Sequence, residues 1–358
     1  MLFFITWYES ILVCLINILT IVCILMIVAW VTVIERKVMA YMQRRVGPNN
    51  VGYVGQLQAF ADAAKLILKE MVFPNQSQII LFFFAPVISL FISLISWSIV
   101  PFTEYYTIYS NSVSIIISLC IGSIGIFGIV FAGWSANSKY TYLATIRSTA
   151  QMISYELVFS CIIMMIMFIA FSFNFYDVVY SQIYIYNVWV FCPFYIIFWI
   201  TILAETGRPP FDLIEAESEL VSGYMTEHSS TIFVFFFLAE YSNIVYLSTI
   251  ISIFFFGGFI FTTFSYNFYY FSIQSFIIGL KSIFSIVVFV WVRATLPRIK
   301  FDQLMQFCWM DLLPITIGFI SFIFSIFVLF ILNILLILNF NSIYFILFHL
   351  ISFHYFYF

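Results

Sequence analysis

Residues 79–101 read IILFFFAPVISLFISLISWSIVP, a run without a single charged side chain. At about 1.5 Å per helical residue such a run crosses the roughly 30 Å hydrocarbon core of a bilayer. Comparable runs occupy 10–34, 113–134, 152–172, 186–204, 229–254, 275–293 and 312–337. The whole chain of 358 residues is 64% hydrophobic and only 8% charged, whereas a soluble domain carries about 25% charge. The pattern predicts an all-α, polytopic transmembrane bundle: one integral membrane domain over 1–358 with eight spans and no soluble domain. Pro74, Pro86, Pro101, Pro209, Pro210, Pro297 and Pro314 fall at or near run edges, where proline does least damage. Residues 255–274 and the tail 339–358 are aromatic and uncharged, and suit the interface or a re-entrant path.

The basic residues test this layout. Arg36, Lys37, Arg44, Arg45, Lys65 and Lys69 follow the first run, Lys139 and Arg147 the third, Arg208 the fifth, and Arg293, Arg298 and Lys300 the seventh. Twelve of the thirteen bases thus share one side, formed by connections 35–78, 135–151, 205–228 and 294–311. That side is expected to be cytoplasmic, or matrix-facing in a mitochondrion. Lys281 alone lies within a run, where its long stem is expected to snorkel to the interface. The N-terminus, MLFFITWYES, lacks a basic leader segment, so the first apolar run reads as the first span. The 48 phenylalanines suit T-rich codons, as in many organelle genomes.

Six of the sixteen acids crowd into 205–228, ETGRPPFDLIEAESELVSGYMTEH: Glu205, Asp212, Glu215, Glu217, Glu219 and Glu227. On a helix Asp212, Glu215 and Glu219 share a face; in an extended chain Glu215, Glu217 and Glu219 do. Either way the carboxylates titrate as a coupled set able to hold protons. A solvated acidic loop and a divalent-cation site are the competing readings, although the spacing does not fit an EF-hand. Glu156 and Glu240 lie several residues inside runs, where an exposed charged acid costs a few kcal/mol or more. They read as bundle-facing functional acids, or as partners of a loop base such as Arg147. Glu35, Arg36 and Lys37 sit at the end of the first run. Between the first two runs, 54–70 places Leu57, Phe60, Ala64 and Ile67 on one helical stripe and Gln58, Asp62, Lys65 and Lys69 on another. This amphipathic surface helix serves either as an anchor or as a wall for an amphipathic ligand or a peripheral partner.

Several chemistries are excluded. The six cysteines are scattered without a C-x-x-C, and the three histidines fall outside the confident spans, so neither a cysteine-ligated metal site nor haem ligation is predicted. No P-loop, G-x-G-x-x-G, G-x-S-x-G or H-E-x-x-H is present. Nucleic-acid binding does not suit so few bases in this setting.

Five ordered segments carry a resemblance: ERKVMAYMQRRVGPNNVGYVGQLQAFADAAKLILKE (35–70), NSKYTYLATIRSTAQMISYE (137–156), LAETGRPPFDLIEAESELVSG (203–223), FLAEYSNI (237–244) and WVRATLPRIKFDQLMQFCW (291–309). Together they closely resemble the chain 1 family of NADH:ubiquinone oxidoreductase, the bacterial H subunit family of the respiratory complex I membrane arm. The resemblance implies eight spans where the membrane arm meets the peripheral arm, a mitochondrial inner-membrane location, ubiquinone as substrate, and no redox centre in this chain. NADH, FMN and the iron–sulfur clusters then belong to partner subunits. It further implies that Arg36, Arg45, Asp62, Phe233, Phe237 and Arg293 line the quinone tunnel. Glu35, Glu156, Glu205, Asp212, Glu215, Glu217, Glu227 and Glu240 would form the acidic coupling path toward antiporter-like subunits, with small membrane subunits and lipids alongside. The sequence departs from the family pattern at Ala216, Met225, His228 and Met310, and the aromatic tail has no family counterpart. A proton- or cation-coupled secondary transporter is the rival reading of the same acids, but no inverted repeat or pair of broken helices supports it. A purely structural scaffold is the third, and leaves the expense of Glu156 and Glu240 unexplained.

Overall fold

The computed structural model describes residues 2–104, 106–212, 221–260 and 270–337. Every regular element among them is helical: α1 (Leu2–Met42), α2 (Gln58–Leu68), α3 (Ile79–Ile95), α4 (Ser114–Ala136), α5 (Lys139–Ala170), α6 (Phe175–Ser181), α7 (Asn187–Val190), α8 (Cys192–Glu205), α9 (Ser230–Phe255), α10 (Tyr270–Thr295), α11 (Phe301–Gln306) and α12 (Leu313–Ile337). Seven stretches among the described residues are long and apolar enough to span a bilayer. The eighth apolar run, the fifth in order, is broken. The short α7 stops at Phe191, and α8 restarts with Pro193 in its first turn, leaving 14 uninterrupted residues, about 21 Å.

Helix ends differ from the hydropathy runs for local reasons. α1 runs on to Met42, so Glu35, Arg36 and Lys37 sit on the helix itself, which closes at Arg44 with φ 55°. The connection expected at 135–151 is reduced to Asn137 and Ser138. Asn137 takes the left-handed conformation that ends α4, and the Ser138 hydroxyl accepts the Thr141 N–H at 3.3 Å to start α5. Polar residues lower the hydropathy of 139–151 without opposing helix formation, so α5 reaches 32 residues, about 48 Å, and projects beyond the bilayer core. The surface helix is shorter than 54–70: a 3₁₀ turn at Tyr53–Gly55 precedes α2. Pro86 lies inside α3 rather than at its edge. A π-helical turn, Phe307–Leu312, joins α11 to α12, and there the missing N–H of Pro314 falls opposite the Met310 carbonyl.

α9 is the central element. It packs on α1, α2, α3, α6, α7 and α10, and 67% of its apolar window is buried. α5 packs on α4, α8, α11 and α12. The outer faces carry exposed Leu19, Phe91, Phe127, Phe276 and Phe322, as a lipid-facing or partner-facing surface requires. Of the segments expected at the interface, 261–269 and 338–358 lie outside the described residues.

Candidate functional site

α3, α4, α5, α8 and α9 enclose a cavity of about 110 Å³ on the half of the bundle nearer the basic connections. Glu156 from α5, Glu205 at the end of α8 and Glu240 from α9 all line it, with Tyr224 and Asn243. A second cavity of about 30 Å³ continues from it past Glu156, Glu205 and Tyr246. Together they have room for several water molecules. One Glu205 carboxylate oxygen is buried without a hydrogen-bond partner. Glu156 makes no ion pair among the described residues, so the expected alternative of an Arg147 bridge is not what holds it. The Arg147 guanidinium instead lies 5.9 Å over the Phe301 ring.

Glu240 connects this cavity to a second group of charges. The Tyr224 hydroxyl donates to one Glu240 oxygen at 3.1 Å, and Arg208 lies 3.6 Å from the other. The Arg208 guanidinium also covers the Tyr241 ring at 4.7 Å. The Tyr241 hydroxyl donates to Glu35 at 2.5 Å, and the other Glu35 oxygen pairs with Arg293. Arg293, Glu35, Tyr241, Arg208 and Glu240 thus form a chain of contacts from α10 and α1, across α9, into the cavity, in which the Tyr241–Arg208 step is a cation–π contact with the ring face. Glu35 and Arg208 are each about 95% buried. At that burial an unpaired charge costs several kcal/mol, whereas one held by opposite charge and hydrogen bonds is tolerated.

The expected tunnel residues divide. Arg36 pairs with Asp62 at 2.6 Å, and Gln58 donates to the other Asp62 oxygen at 2.9 Å, which fixes α2 against α1. Phe233, Phe237 and Tyr241 recur every fourth residue on α9, with ring centroids 6.1 and 4.6 Å apart. α2 packs on both α1 and α9, so these groups surround one junction. Arg293 sits with Glu35, and Arg45 is exposed, apart from both groups.

The acid-rich connection is described at its ends. Asp212 pairs with Arg298 at 2.7 Å, and the Ile299 N–H donates to the Pro210 carbonyl at 3.0 Å, so two basic-side connections are tied together. Gln151 holds the same segment from α5 by donating to the Ala204 and Phe211 carbonyls at 2.7 and 2.9 Å. Glu215, Glu217 and Glu219 lie outside the described residues. Glu227 is half-buried and makes no hydrogen bond or ion pair among them. The neighbouring His228 is buried, stacked on Phe82 at 4.0 Å with Phe236 edge-on at 5.1 Å. Burial pushes its imidazole down to about 4, and the nearby Ala132 carbonyl opposes this only in part.

Sequence reasoning did not single out Arg208, Tyr241, Tyr224 or Gln151. Arg208 counted only as one more base, yet it was the one base inside the acid-rich stretch. Tyr241 directly follows Glu240, and nothing in its neighbours marks the hydroxyl as a bridge to Glu35. Lys281, expected to snorkel, places its ammonium on backbone carbonyls just beyond the end of α9.

Comparisons with known proteins agree on one family. A family model described as NADH dehydrogenase matches residues 15–347. NADH-ubiquinone oxidoreductase chain 1 of Mycosarcoma maydis is 48% identical over 306 residues, which cover 84% of this chain and 91% of that protein. The protein of the same name from Podospora anserina is 47% identical over 348 residues, 87% and 95% of the two chains. That of Candida albicans is 49% identical over 295 residues, 82% and 89%.

Proposed function

The chain belongs to the NADH dehydrogenase family, with the NADH-ubiquinone oxidoreductase chain 1 proteins, and from that premise we propose that it is a core membrane subunit of respiratory complex I. In this reading it sits as one integral domain in the mitochondrial inner membrane, basic side to the matrix. It forms part of the ubiquinone access route and the first section of the path that couples quinone reduction to proton pumping. The quinone-site and iron–sulfur subunits of the peripheral arm cover the basic side, and small membrane and antiporter-like subunits continue the path. NADH, FMN and the iron–sulfur clusters act in partner subunits and supply electrons.

The observation that carries the proposal is the chain of contacts from Arg293 to Glu240 opening into a cavity with Glu156 and Glu205. Reduction of a quinone to a quinol takes up two electrons and two protons, so charge changes beside the headgroup. The α1–α2–α9 junction offers an amphipathic molecule the Arg36–Asp62 pair at its rim and the Phe233 and Phe237 rings within. A change of charge there alters the balance between Glu35 and Arg293. Tyr241 passes the change to Arg208, which is shared with Glu240. Glu240, Glu156 and Glu205 then hold or release protons into a cavity that admits water. Asp212 and Arg298 brace the connection, and Glu215, Glu217 and Glu227 extend the acid set on the matrix side.

Glu240→Gln in the assembled complex tests this. The substitution keeps the shape and the Tyr224 contact but removes the charge facing Arg208. Quinone-linked NADH oxidation and proton pumping should fall by about a hundredfold, the lower range for a lost proton-transfer group. NADH oxidation by a hydrophilic acceptor that takes electrons from the partner subunits should not change. Normal pumping in an assembled variant would remove Glu240 from the path.

A further inference from the structure

α9 ends at Phe255 within the bundle, and its last carbonyls cannot all reach water. In an apolar setting each such oxygen needs another partner. Gln182 donates to the Ile253 carbonyl at 2.9 Å, Asn187 donates to that of Phe254 at 2.8 Å, and the Gln182 carbonyl accepts the Gly257 N–H at 3.0 Å. The carbonyls of Phe256, Gly258 and Ile260 converge instead on one atom. Lys281 Nζ donates to them at 2.7, 2.8 and 2.7 Å. Three acceptors need three hydrogens, and only the protonated amine has them. The Tyr186 ring centroid lies 5.5 Å from the same nitrogen. No carboxylate pairs with Lys281 among the described residues, and the sequence has neither Asp nor Glu between Glu240 and Asp302.

The turn is shaped to bring these oxygens together. Gly257 and Gly258 have φ of 71° and 49°. A Cβ on Gly257 would stand 2.7 Å from the Tyr186 ring, and one on Gly258 2.9 Å from Val179. Inward carbonyls, the negative end of a long helix and a π face are the ingredients with which proteins replace the hydration shell of a small cation.

We infer that the turn 256–260 is a carbonyl cage for a small monovalent cation and that the Lys281 ammonium is its built-in occupant. The cage ties the connection carrying Gln182 and Tyr186 to the end of α9 and to the middle of α10. Neutralising or shortening Lys281 leaves three inward carbonyls unpaired, and the emptied cage then accepts a free cation of the same size and donor pattern.

The assembled complex carrying Lys281→Ala, and separately Lys281→Met, tests this. The thermal transition and quinone-linked turnover are read in choline, tetramethylammonium, potassium and methylammonium salts at equal ionic strength. The Ala variant should melt several degrees lower than wild type in choline. Methylammonium, which restores three N–H donors, should return it toward wild type with a saturable dependence, and potassium should do so in part. Tetramethylammonium has no N–H and should not. The Met variant, whose thioether fills the space, should show the loss without the recovery. An Ala variant that melts like wild type in choline, or that recovers equally in all four salts, overturns the proposal. If the Ala variant does not assemble, reductive methylation of the native wild-type complex decides. A caged ammonium stays unmodified in the intact complex and reacts once the complex is unfolded, and modification of Lys281 in the intact complex overturns the proposal.

Discussion

His228 is held between Phe82 and Phe236, and neither ring nitrogen makes a hydrogen bond of good geometry among the described residues. Its imidazole is pushed down to about 4 from an ordinary 6.5. Between those values the unfolded chain holds the extra proton, so stability is present above about pH 6.5 and is lost as pH falls toward 4. The full loss is on the order of 3 kcal/mol. His228→Phe keeps the stack and deletes the buried nitrogens, which should add about 1 kcal/mol near neutral pH. Thermal transitions of the purified complex between pH 7.5 and 5 measure both effects. The wild-type midpoint should fall more steeply with acid than that of the variant, and parallel curves would show that His228 is not the group responsible. The sequence marks His228 as a departure from a family pattern, but not as a ring sealed between two phenylalanines. Burial of one side chain depends on neighbours 146 and 8 residues away. Glu156 and Glu240 were legible because an acid inside an apolar run is costly whatever surrounds it. Arg208 was not, because a base in a connection is ordinarily solvated.

Among the elements, α4 and α5 approach one another closely at a single glycine. A Cβ on Gly133 would fall 1.9 Å from the Thr145 methyl and 2.9 Å from its Cβ, so the two helices meet over a bare glycine. Gly133→Ala must spread the hairpin, which carries Met152 and Glu156 at the cavity wall. Overpacking of this kind costs about 1–3 kcal/mol. Assembly yield and melting temperature should both drop, and adding Thr145→Ala should recover part of the loss. A single variant that assembles and melts normally would contradict the close approach. Among the described residues, the eight longer apolar helices were readable from run length and α2 from its amphipathic pattern, whereas the short α6, α7 and α11 and the helix ends were not. Hydropathy cannot see that 139–151 is helical, because buried Thr141, Ser148 and Gln151 lower it while packing well. Nor does periodicity reveal which face of a span points inward, since lipid and core are equally apolar.

For the whole molecule, the alternation of bases predicts opposite exposure of the two ends. Asn137, at the α4–α5 turn, and Tyr184, between α6 and α7, are both exposed. In sealed membranes, a cysteine replacing Asn137 should react with an impermeant thiol reagent only from the basic side, and one replacing Tyr184 only from the other. Labelling of both from one side would break the topology. The meeting of α1, α9 and α10 around Glu35 was beyond sequence reasoning without the family resemblance, since it depends on how three uniformly apolar helices rotate against one another.

That meeting also sets a schedule. Arg293 lies 258 residues after Glu35 in the chain. At about 5–20 residues per second, a ribosome delivers the arginine about 13–50 s after the acid. During that interval the first span has already left the translation machinery without the base that holds Glu35 in the folded chain. The buried Glu35–Arg293 pair therefore closes only when the penultimate span arrives, and a chain stopped before that span lacks the bond that joins α1 to α10.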